Sequence, residues 1–210
     1  MWACREFLWV GGYLAQLREI LAVVRADVVF AVHPDLWLFR LARFFGKKTA
    51  VCGNGSDAGG DASTVSSPLP PALTVLREDK TPYWVFIGRG SDPVKGVSRL
   101  VQALHLLPPD FRLLAAPGEG FENHSKCFPT GNLSSPQIAT LLSGSAGLIL
   151  CSYYEGLPLV VLEALAQGVP VASTEVGGLK ALFRESRAGR LEGLANLGAG
   201  TPQSITYAIQ

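Results

Sequence analysis

From residue 73 to residue 190, short runs of nearly continuous apolar residues alternate with amphipathic segments. The runs include YWVFIG, RLLAAP and GLILC, and the segments between them include SRLVQALHLL and LVVLEALAQG. Strands that are apolar throughout, and not only at every second position, are typical of a parallel sheet that helices cover on both faces. The alternation therefore predicts a doubly wound α/β domain.

The first third of the chain shows the same alternation with fewer elements. Apolar residues recur at helical spacing from Leu14 to Val24, and ADVVFAVHP, DLWLFRLARFFGKK and TAVCGNGSD then predict a strand, a helix and a second strand. Residues 58–72 are rich in glycine, serine and proline without an apolar period, which indicates a linker. We therefore predict a small partial α/β domain with its linker at residues 1–66 and a larger domain at residues 67–210.

Composition and charge exclude several classes of function. With 210 residues, 48% of them hydrophobic, the chain can bury a substantial core. Only 17% of the residues are charged and the formal net charge is +1, so no nucleic-acid-binding surface is indicated and any anion site must be local. The cysteines show neither C-x-x-C pairing nor a histidine at metal-ligand spacing. We interpret them as reduced core thiols: Cys4, Cys52, Cys127 and Cys151.

The N-terminal stretch MWACREFLWVGGYLAQLREILAVV is apolar but interrupted by two pairs of adjacent charged residues. It fits neither a signal-peptide core nor a membrane span, so a cytoplasmic protein is expected. Its first apolar residues leave two alternatives open, peripheral contact with a membrane surface or packing within the protein. The lack of a Lys/Arg-rich polar face favours packing. These residues are Trp2, Phe7, Leu8 and Trp9.

Two basic residues flank one predicted strand-to-helix turn, GRGSDPVKG. The guanidinium of Arg89 and the ammonium of Lys95 could grip a diphosphate, and the glycines of the turn would let the ligand approach the backbone. The alternative is that Arg89 pairs with Asp92 in an ordinary surface turn and Lys95 is a solvated helix start. Neither G-x-x-x-x-G-K-[ST] nor G-x-G-x-x-G is present in this turn.

A second group of candidate residues lies at and after the end of the buried strand predicted in AGLILCSYYEG. Glu155 ends that strand, and Gly156 and Pro158 begin a helix whose N–H groups and dipole suit a phosphate. Glu163 lies within the helix and is either part of its solvated stripe or an acceptor for a pair of ribose hydroxyls. Because ligands of open α/β sheets bind beyond the carboxyl ends of the strands, we expect Arg89, the loop at Asn132 and Glu155 to share one crevice.

Taken together, these residues resemble a known signature. The pattern Glu155-x7-Glu163 within EGLPLVVLEALAQGVPVASTEVGG resembles the nucleotide-sugar motif of retaining family 4 glycosyltransferases, and GRGSDPVKG resembles their phosphate-gripping turn. The resemblance covers residues 80–185. It implies a GT-B-like fold with a Rossmann-like C-terminal donor domain. The implied activity is transfer of a sugar from a nucleoside-diphosphate sugar, such as a UDP-sugar, to an acceptor hydroxyl with retention of configuration, in polysaccharide or glycolipid biosynthesis.

The resemblance also implies roles for individual residues. Arg89 and Lys95 would hold the donor diphosphate and Glu155 the donor sugar, which makes these three the catalytic candidates. Glu163 would bind the ribose and the loop around Asn132 the base. The implied substrate-binding residues are Gly88, Asn132, Leu133, Gly156, Leu157, Pro158, Leu159 and Glu163. No cofactor or metal is implied, because the fixed cations supply the positive field and the sequence has no D-x-D pair.

The first third resembles only part of the family's acceptor domain. By this resemblance we expect the domain to lack its usual opening strand and the segments after Asp57. Asn54 stands where many relatives carry a histidine. His33 could substitute for that histidine or be structural. The end of the chain, GAGTPQSITYAIQ, does not resemble the family's long final helix. Sheet edges left exposed in this way would favour a homo-oligomer.

Three functional hypotheses follow. The first is a retaining glycosyltransferase whose acceptor is an unknown carbohydrate or lipid-linked molecule. The second is a non-catalytic or partner-dependent nucleotide-sugar-binding module, and the third is a GT-B-type epimerase. The paired phosphate grip and the acidic motif favour the first two over the third. Asn54 and the missing segments favour the second over the first.

Overall fold

The computed structural model describes residues 10–34, 36–55 and 70–209. Within these residues the chain forms two parallel sheets, one of two strands in the N-terminal part and one of six strands in the C-terminal part. The α/β fold class predicted from the sequence is confirmed. The predicted domain boundary at residue 66 and the first apolar residues of the chain lie outside the described residues.

The N-terminal part has the predicted order of helix, strand, helix and strand. The elements are α1 (Val10–Arg25), β1 (Val28–Ala31), α2 (Trp37–Phe44) and β2 (Lys48–Val51). The two strands are parallel, with Val28 opposite Lys48. Helix α2 buries Phe39 and Ala42, three positions apart on one face, and Gly46 follows it with a positive φ of 65°.

The C-terminal part is a six-stranded parallel sheet covered by helices. Its strands are β3 (Trp84–Gly88), β4 (Leu113–Pro117), β5 (Cys127–Pro129), β6 (Gly147–Leu150), β7 (Val171–Ser173) and β8 (Leu194–Asn196). Its helices are α3 (Pro71–Glu78), α4 (Val97–Leu106), α5 (Ser135–Ser143), α6 (Leu159–Ala166), α7 (Leu179–Arg187) and α8 (Pro202–Ile209). A short 3₁₀ turn, Pro93–Lys95, precedes α4.

The four central strands of this sheet, β4, β3, β6 and β7, are buried on both faces, which explains their uninterrupted apolar pattern. Val85 and Leu148 belong to a core cluster that includes residues of α3, α5, α6 and α7. Their neighbours Phe86 and Ile149 belong to a second cluster with residues of α4 and α8. Successive residues of a strand point to opposite faces, so β3 and β6 each contribute to both clusters.

The strand order places a crevice in the middle of the sheet. The order is β5-β4-β3-β6-β7-β8, so the chain moves outward in one direction from β3 and in the other direction from β6. The loops that follow β3 and β6 therefore diverge. Open α/β sheets bind their ligands at such a switch point, beyond the carboxyl ends of the strands.

The structure corrects several expectations. Helix α3 begins inside the predicted linker, and β8 and α8 lie in segments for which no element was predicted. Among the described cysteines, Cys127 and Cys151 are buried free thiols as predicted, but Cys52 is exposed, because it follows an edge strand of the two-stranded sheet. Cys4 lies outside the described residues.

In the part of the chain that the structure describes, no helix has both the length and the apolar character needed to cross a membrane.

Candidate functional site

The turn between β3 and α4 is packed tightly onto the end of β6. The carboxylate of Asp92 accepts a hydrogen bond from the N–H of Val94 at 3.0 Å. The side chain of Asp92 is thus used within the turn, and no ion pair joins it to Arg89 among the residues that the structure describes. Gly96 has a φ of 68°, and a Cβ there would overlap the carbonyl oxygen of Cys151. Glycine is therefore required where the two loops meet.

Lys95 makes the central contact of the site. Its Nζ lies 2.8 Å from Oε1 of Glu155, and the two side chains are 23% and 8% exposed. A Cβ added at Gly88 would lie 3.6 Å from Cδ of Lys95, so the lysine stem passes over the end of β3. The interpretation of Lys95 as a solvated helix start is therefore wrong.

Ser152, three positions earlier in the chain, also holds the carboxylate of Glu155. Ser152 Oγ donates a hydrogen bond to Oε1 of Glu155 at 2.7 Å, and Thr174 Oγ1 donates one to the carbonyl oxygen of Ser152 at 2.6 Å. Both hydroxyl residues are buried. Oε1 thus accepts from Lys95 and from Ser152, whereas Oε2 accepts no hydrogen bond within the described part of the chain.

The N-terminal end of α6 borders the site on the side of Glu155. The N–H of Gly178 donates to the carbonyl oxygen of Gly156 at 2.6 Å, which fixes the segment between Glu155 and the helix. Pro158 is the N-cap residue, and no side chain caps this end. The first N–H groups of α6, beginning at Leu159, are therefore available to an anion.

The N-terminal part of the chain contacts the segment just before α6. The Nδ2 of Asn54 donates to the carbonyl oxygen of Leu157 at 2.6 Å. His33 is buried at the end of β1, and its Cδ2 lies 3.0 Å from where a Cβ on Gly178 would be. The two residues singled out in the sequence as acceptor-side candidates thus both lie beside the start of α6.

The remaining predicted site residues are less closely connected. Arg89 is exposed at the end of β3, Asn132 is exposed after β5, and Leu133 packs against the first core cluster. Glu163 is half-buried in α6. Neither Arg89 nor Glu163 forms an ion pair within residues 10–34, 36–55 and 70–209.

Sequence reasoning missed two groups that shape the site. Ser152 and Thr174 orient Glu155, and their only signal was their place after two buried strands.

Glu119 is the second of these groups. It lies in the loop after β4 and accepts hydrogen bonds from both donors of Ser91, in the turn that carries Arg89. These hydrogen bonds lower the pKa of Glu119, and the charge of Arg89 contributes to the same shift. The glycines on either side of Glu119 in PGEGF could have indicated a specialised loop.

Cys151 lies between the end of β6 and Ser152, but its thiol is not suited to nucleophilic chemistry. Burial raises the pKa of its thiol to about 12. A thiol acts as a nucleophile through its thiolate, which is scarce at neutral pH when the pKa is this high. Cys151 therefore serves as a packing residue at the end of β6.

Comparison with known proteins identifies the family. Residues 81–209 match the family model described as Glycosyl transferases group 1. The chain belongs to this family. The match includes both the turn of Lys95 and the helix of Glu163, so the resemblance to a glycosyltransferase is confirmed at the level of the family.

One curated relative extends the similarity into the N-terminal part. The chain is 30% identical to α-maltose-1-phosphate synthase from Mycolicibacterium smegmatis over an alignment that covers 86% of this chain and 52% of the relative. The chain thus spans about half the length of that relative.

Solved structures show the same fold. Sucrose-phosphate synthase from Thermosynechococcus elongatus matches with a TM-score of 0.72 and 20% identity, covering 94% of this chain and 52% of that protein. HepE from Anabaena in complex with UDP-glucose matches with a TM-score of 0.65 and 21% identity, covering 92% and 56%. These likenesses show that the architecture is that of GT-B glycosyltransferases.

Proposed function

We propose that this glycosyltransferase-family chain binds a nucleoside-diphosphate sugar in the crevice between β3 and β6 and transfers the sugar to an acceptor hydroxyl with retention of configuration. The observation that carries the proposal is the ion pair of Lys95 and Glu155, which joins the two loops at the switch point of the sheet. In this proposal the chain is a member of the retaining family 4, whose motif its two glutamates match.

The positive groups would act on the departing diphosphate. An ammonium has three donor hydrogens, so Lys95 can keep its contact with Glu155 and still donate to phosphate oxygens. Arg89 and the uncapped start of α6 would add a guanidinium and free N–H groups. Negative charge grows on the diphosphate as the glycosidic bond breaks, so these groups stabilise the transition state more than the ground state. The proposal therefore needs no metal ion or other cofactor.

Other side chains of the site would bind the sugar, the ribose and the base of the nucleotide sugar. Oε2 of Glu155 would accept hydrogen bonds from hydroxyls of the sugar, since Oε1 is already used by Lys95 and Ser152. Glu163 would accept hydrogen bonds from the ribose, and the loop of Asn132 and Leu133 would contact the base. The complex of the relative HepE with UDP-glucose supports a UDP-sugar as the first donor to test.

The acceptor would enter from the side of the N-terminal part, between α6 and the ends of β1 and β2. His33 and Asn54 lie there. We propose a carbohydrate or lipid-linked acceptor and a role in polysaccharide or glycolipid biosynthesis, at a cytoplasmic location with or without peripheral membrane contact.

A second candidate function is a nucleotide-sugar-binding module that does not transfer the sugar by itself or needs a partner. The observation that favours it is Asn54, whose amide donates to a backbone oxygen and cannot exchange a proton at neutral pH. Donor binding is common to both candidates. Transfer by the purified chain alone distinguishes them.

Calorimetry with UDP-, GDP- and ADP-sugars tests the proposal. We expect one nucleotide class to bind, and Lys95→Ala and Glu163→Ala to weaken binding by about tenfold or more, about 1.4 kcal/mol each. Lys48→Ala is the matched control, because Lys48 is an exposed lysine on the two-stranded sheet. If the unaltered chain binds none of these donors, both candidate functions are wrong.

A further inference from the structure

An acidic side chain lies beside the turn that would grip the diphosphate. Glu119 follows β4, and its Oε2 accepts hydrogen bonds from the N–H of Ser91 at 3.1 Å and from Oγ of Ser91 at 2.7 Å. Ser91 lies between Arg89 and Lys95 in the chain. The loop after β4 is therefore tied to the middle of the turn after β3 by two hydrogen bonds to one oxygen.

The backbones of the two loops are also in close contact. A Cβ on Gly90 would overlap the carbonyl oxygen of Glu119, and a Cβ on Gly120 would lie 3.0 Å from Cγ1 of Val97 at the start of α4. Gly118 and Gly120 both have positive φ, 101° and 83°. Glycines on both sides of Glu119 thus allow a backbone path that brings its carboxylate to Ser91.

The charge of Glu119 needs a reason, because a carboxylate beside a diphosphate site repels the ligand. Its hydrogen bonds to Ser91 lower its pKa, so it is ionised at neutral pH. Within the described part of the chain it forms no ion pair with Arg89. The carboxylate is therefore engaged by the turn backbone and the Ser91 hydroxyl, and Arg89 keeps its donors for a ligand.

We infer that Glu119 is a positioning residue of the donor site, which anchors Ser91 so that Arg89 and Lys95 face the same diphosphate. Glu119 does not touch the substrate and acts only through the turn. This inference rests on the proposed function, because the turn matters for binding only if a diphosphate is bound there. The anchoring itself can be measured without any nucleotide.

Three variants and a control test the anchoring. Glu119→Ala removes both hydrogen bonds, Ser91→Ala removes one, and Glu119→Gln keeps an oxygen that accepts both. Glu122→Ala is the matched control, since Glu122 is an exposed acid of the same loop whose Oε1 accepts from Gly120 and not from the turn. We expect Glu119→Ala to weaken UDP-sugar binding about fivefold or more, Ser91→Ala to weaken it less, and Glu119→Gln and Glu122→Ala to bind nearly as the unaltered chain does.

A second readout separates this inference from the proposed function. We expect the amide of Ser91 to exchange hydrogen faster in Glu119→Ala than in the unaltered chain, with protection restored in Glu119→Gln. This measurement needs no donor, so it remains decisive even if no nucleotide binds. Unchanged exchange at Ser91 in Glu119→Ala would overturn the inference. Equal loss of donor binding in Glu119→Gln and Glu119→Ala would also overturn it, because the acceptor oxygen that glutamine retains would then make no difference to binding.

Discussion

At the scale of single residues, the pair of Lys95 and Glu155 differs from an ordinary surface ion pair. Both side chains are largely removed from solvent, and Ser152 donates a further hydrogen bond to the shared oxygen. A partly buried pair gains little over a hydrophobic pair of the same size, but removing one partner leaves the other charge desolvated. The pair is thus costly to break, and it keeps a cation and an anion at one point of the crevice.

Replacing one partner of this pair should therefore destabilise the fold. Fully buried pairs lose about 3–5 kcal/mol when one partner is removed, and we expect Lys95→Met to cost about 2 kcal/mol because Lys95 is partly exposed. Adding Glu155→Gln should recover part of the loss, since the double variant no longer has a lone buried carboxylate. Urea unfolding of the four proteins in this double-mutant cycle gives the coupling energy. A coupling energy near zero would contradict the ion pair.

The cysteines should differ in reactivity according to their burial. Burial raises the pKa of Cys127 and of Cys151 to about 12, whereas Cys52 is exposed. At pH 8 we expect iodoacetamide to modify Cys52 in the folded chain and to modify Cys127 and Cys151 only after unfolding, as peptide mass spectrometry can show. Early modification of Cys151 in the folded chain would mean that the end of β6 opens readily.

These thiols also make stability depend on pH. Because their folded pKa values are raised above the unfolded value, they stabilise the fold below about pH 8.5, and this contribution is lost as the pH rises towards about 12.

At the scale of elements, the site depends on how the turn before α4 meets the end of β6. The N–H of Tyr153 donates to the carbonyl oxygen of Val94 at 2.8 Å, and Gly96 leaves the space for the carbonyl oxygen of Cys151. Lys95 lies between Val94 and Gly96. A change that separates these two loops should therefore move Lys95 away from Glu155.

Gly96→Ala tests this contact. A left-handed conformation costs a residue with a Cβ about 1–2 kcal/mol, and at Gly96 the overlap with Cys151 adds to that cost. The matched control is Gly168→Ala, where φ is 72° and a Cβ would meet no atom within 4 Å. In urea unfolding, we expect Gly96→Ala to lose clearly more stability than Gly168→Ala. Equal losses would show that the two loops are not packed as described.

Sequence patterns predicted most elements of the larger sheet and its helices but not β8, α3 or α8. The strand that ends at Gly88 was predictable because it is apolar throughout, and α6 because Pro158 and Gly168 mark its ends. Strand β8 has only three residues, LAN, and pairs with β7 through its backbone, which no side-chain pattern records. Helix α3 was missed because it follows a proline-rich segment, although its Leu73 and Leu76 complete the first core cluster.

The candidate site was predictable in part for the same physical reason. Lys95 and Glu155 each follow a buried strand, so a parallel sheet brings them to one edge regardless of their separation in the chain. The contact of Ser91 with Glu119 depends on the exact approach of two loops. The glycines beside Glu119 could have indicated a specialised loop, but they do not identify Ser91 as its partner. The alternative that paired Arg89 with Asp92 was wrong because Asp92 is used by the N–H of Val94.

At the scale of the whole molecule, the two sheets meet at the start of α6. Asn54 donates to Leu157, and Val32 lies beside Gly156, where a Cβ would be 3.5 Å from its Cγ2. The segment at the start of α6 thus belongs to the larger sheet and is contacted by loops of the smaller one. Changes in the small sheet should therefore affect the site through these loops.

The self-association expected from the sequence remains a prediction, and the small sheet indicates where to test it. Within the described residues this sheet has only the strands β1 and β2, and Phe30 on β1 is 69% exposed. Open strand edges and exposed apolar side chains favour association with another chain. We expect the mass measured by sedimentation equilibrium to rise with protein concentration, and Phe30→Ser to reduce this rise.

Tyr207→Ser is the matched control for that experiment. Tyr207 is 86% exposed on α8, so the control removes an aromatic side chain of comparable exposure from the larger sheet's side of the molecule. Association that persists in Tyr207→Ser and weakens in Phe30→Ser would assign it to the small sheet, because only the surface around β1 was changed. A constant monomer mass at every concentration, or equal effects of the two variants, would contradict the prediction.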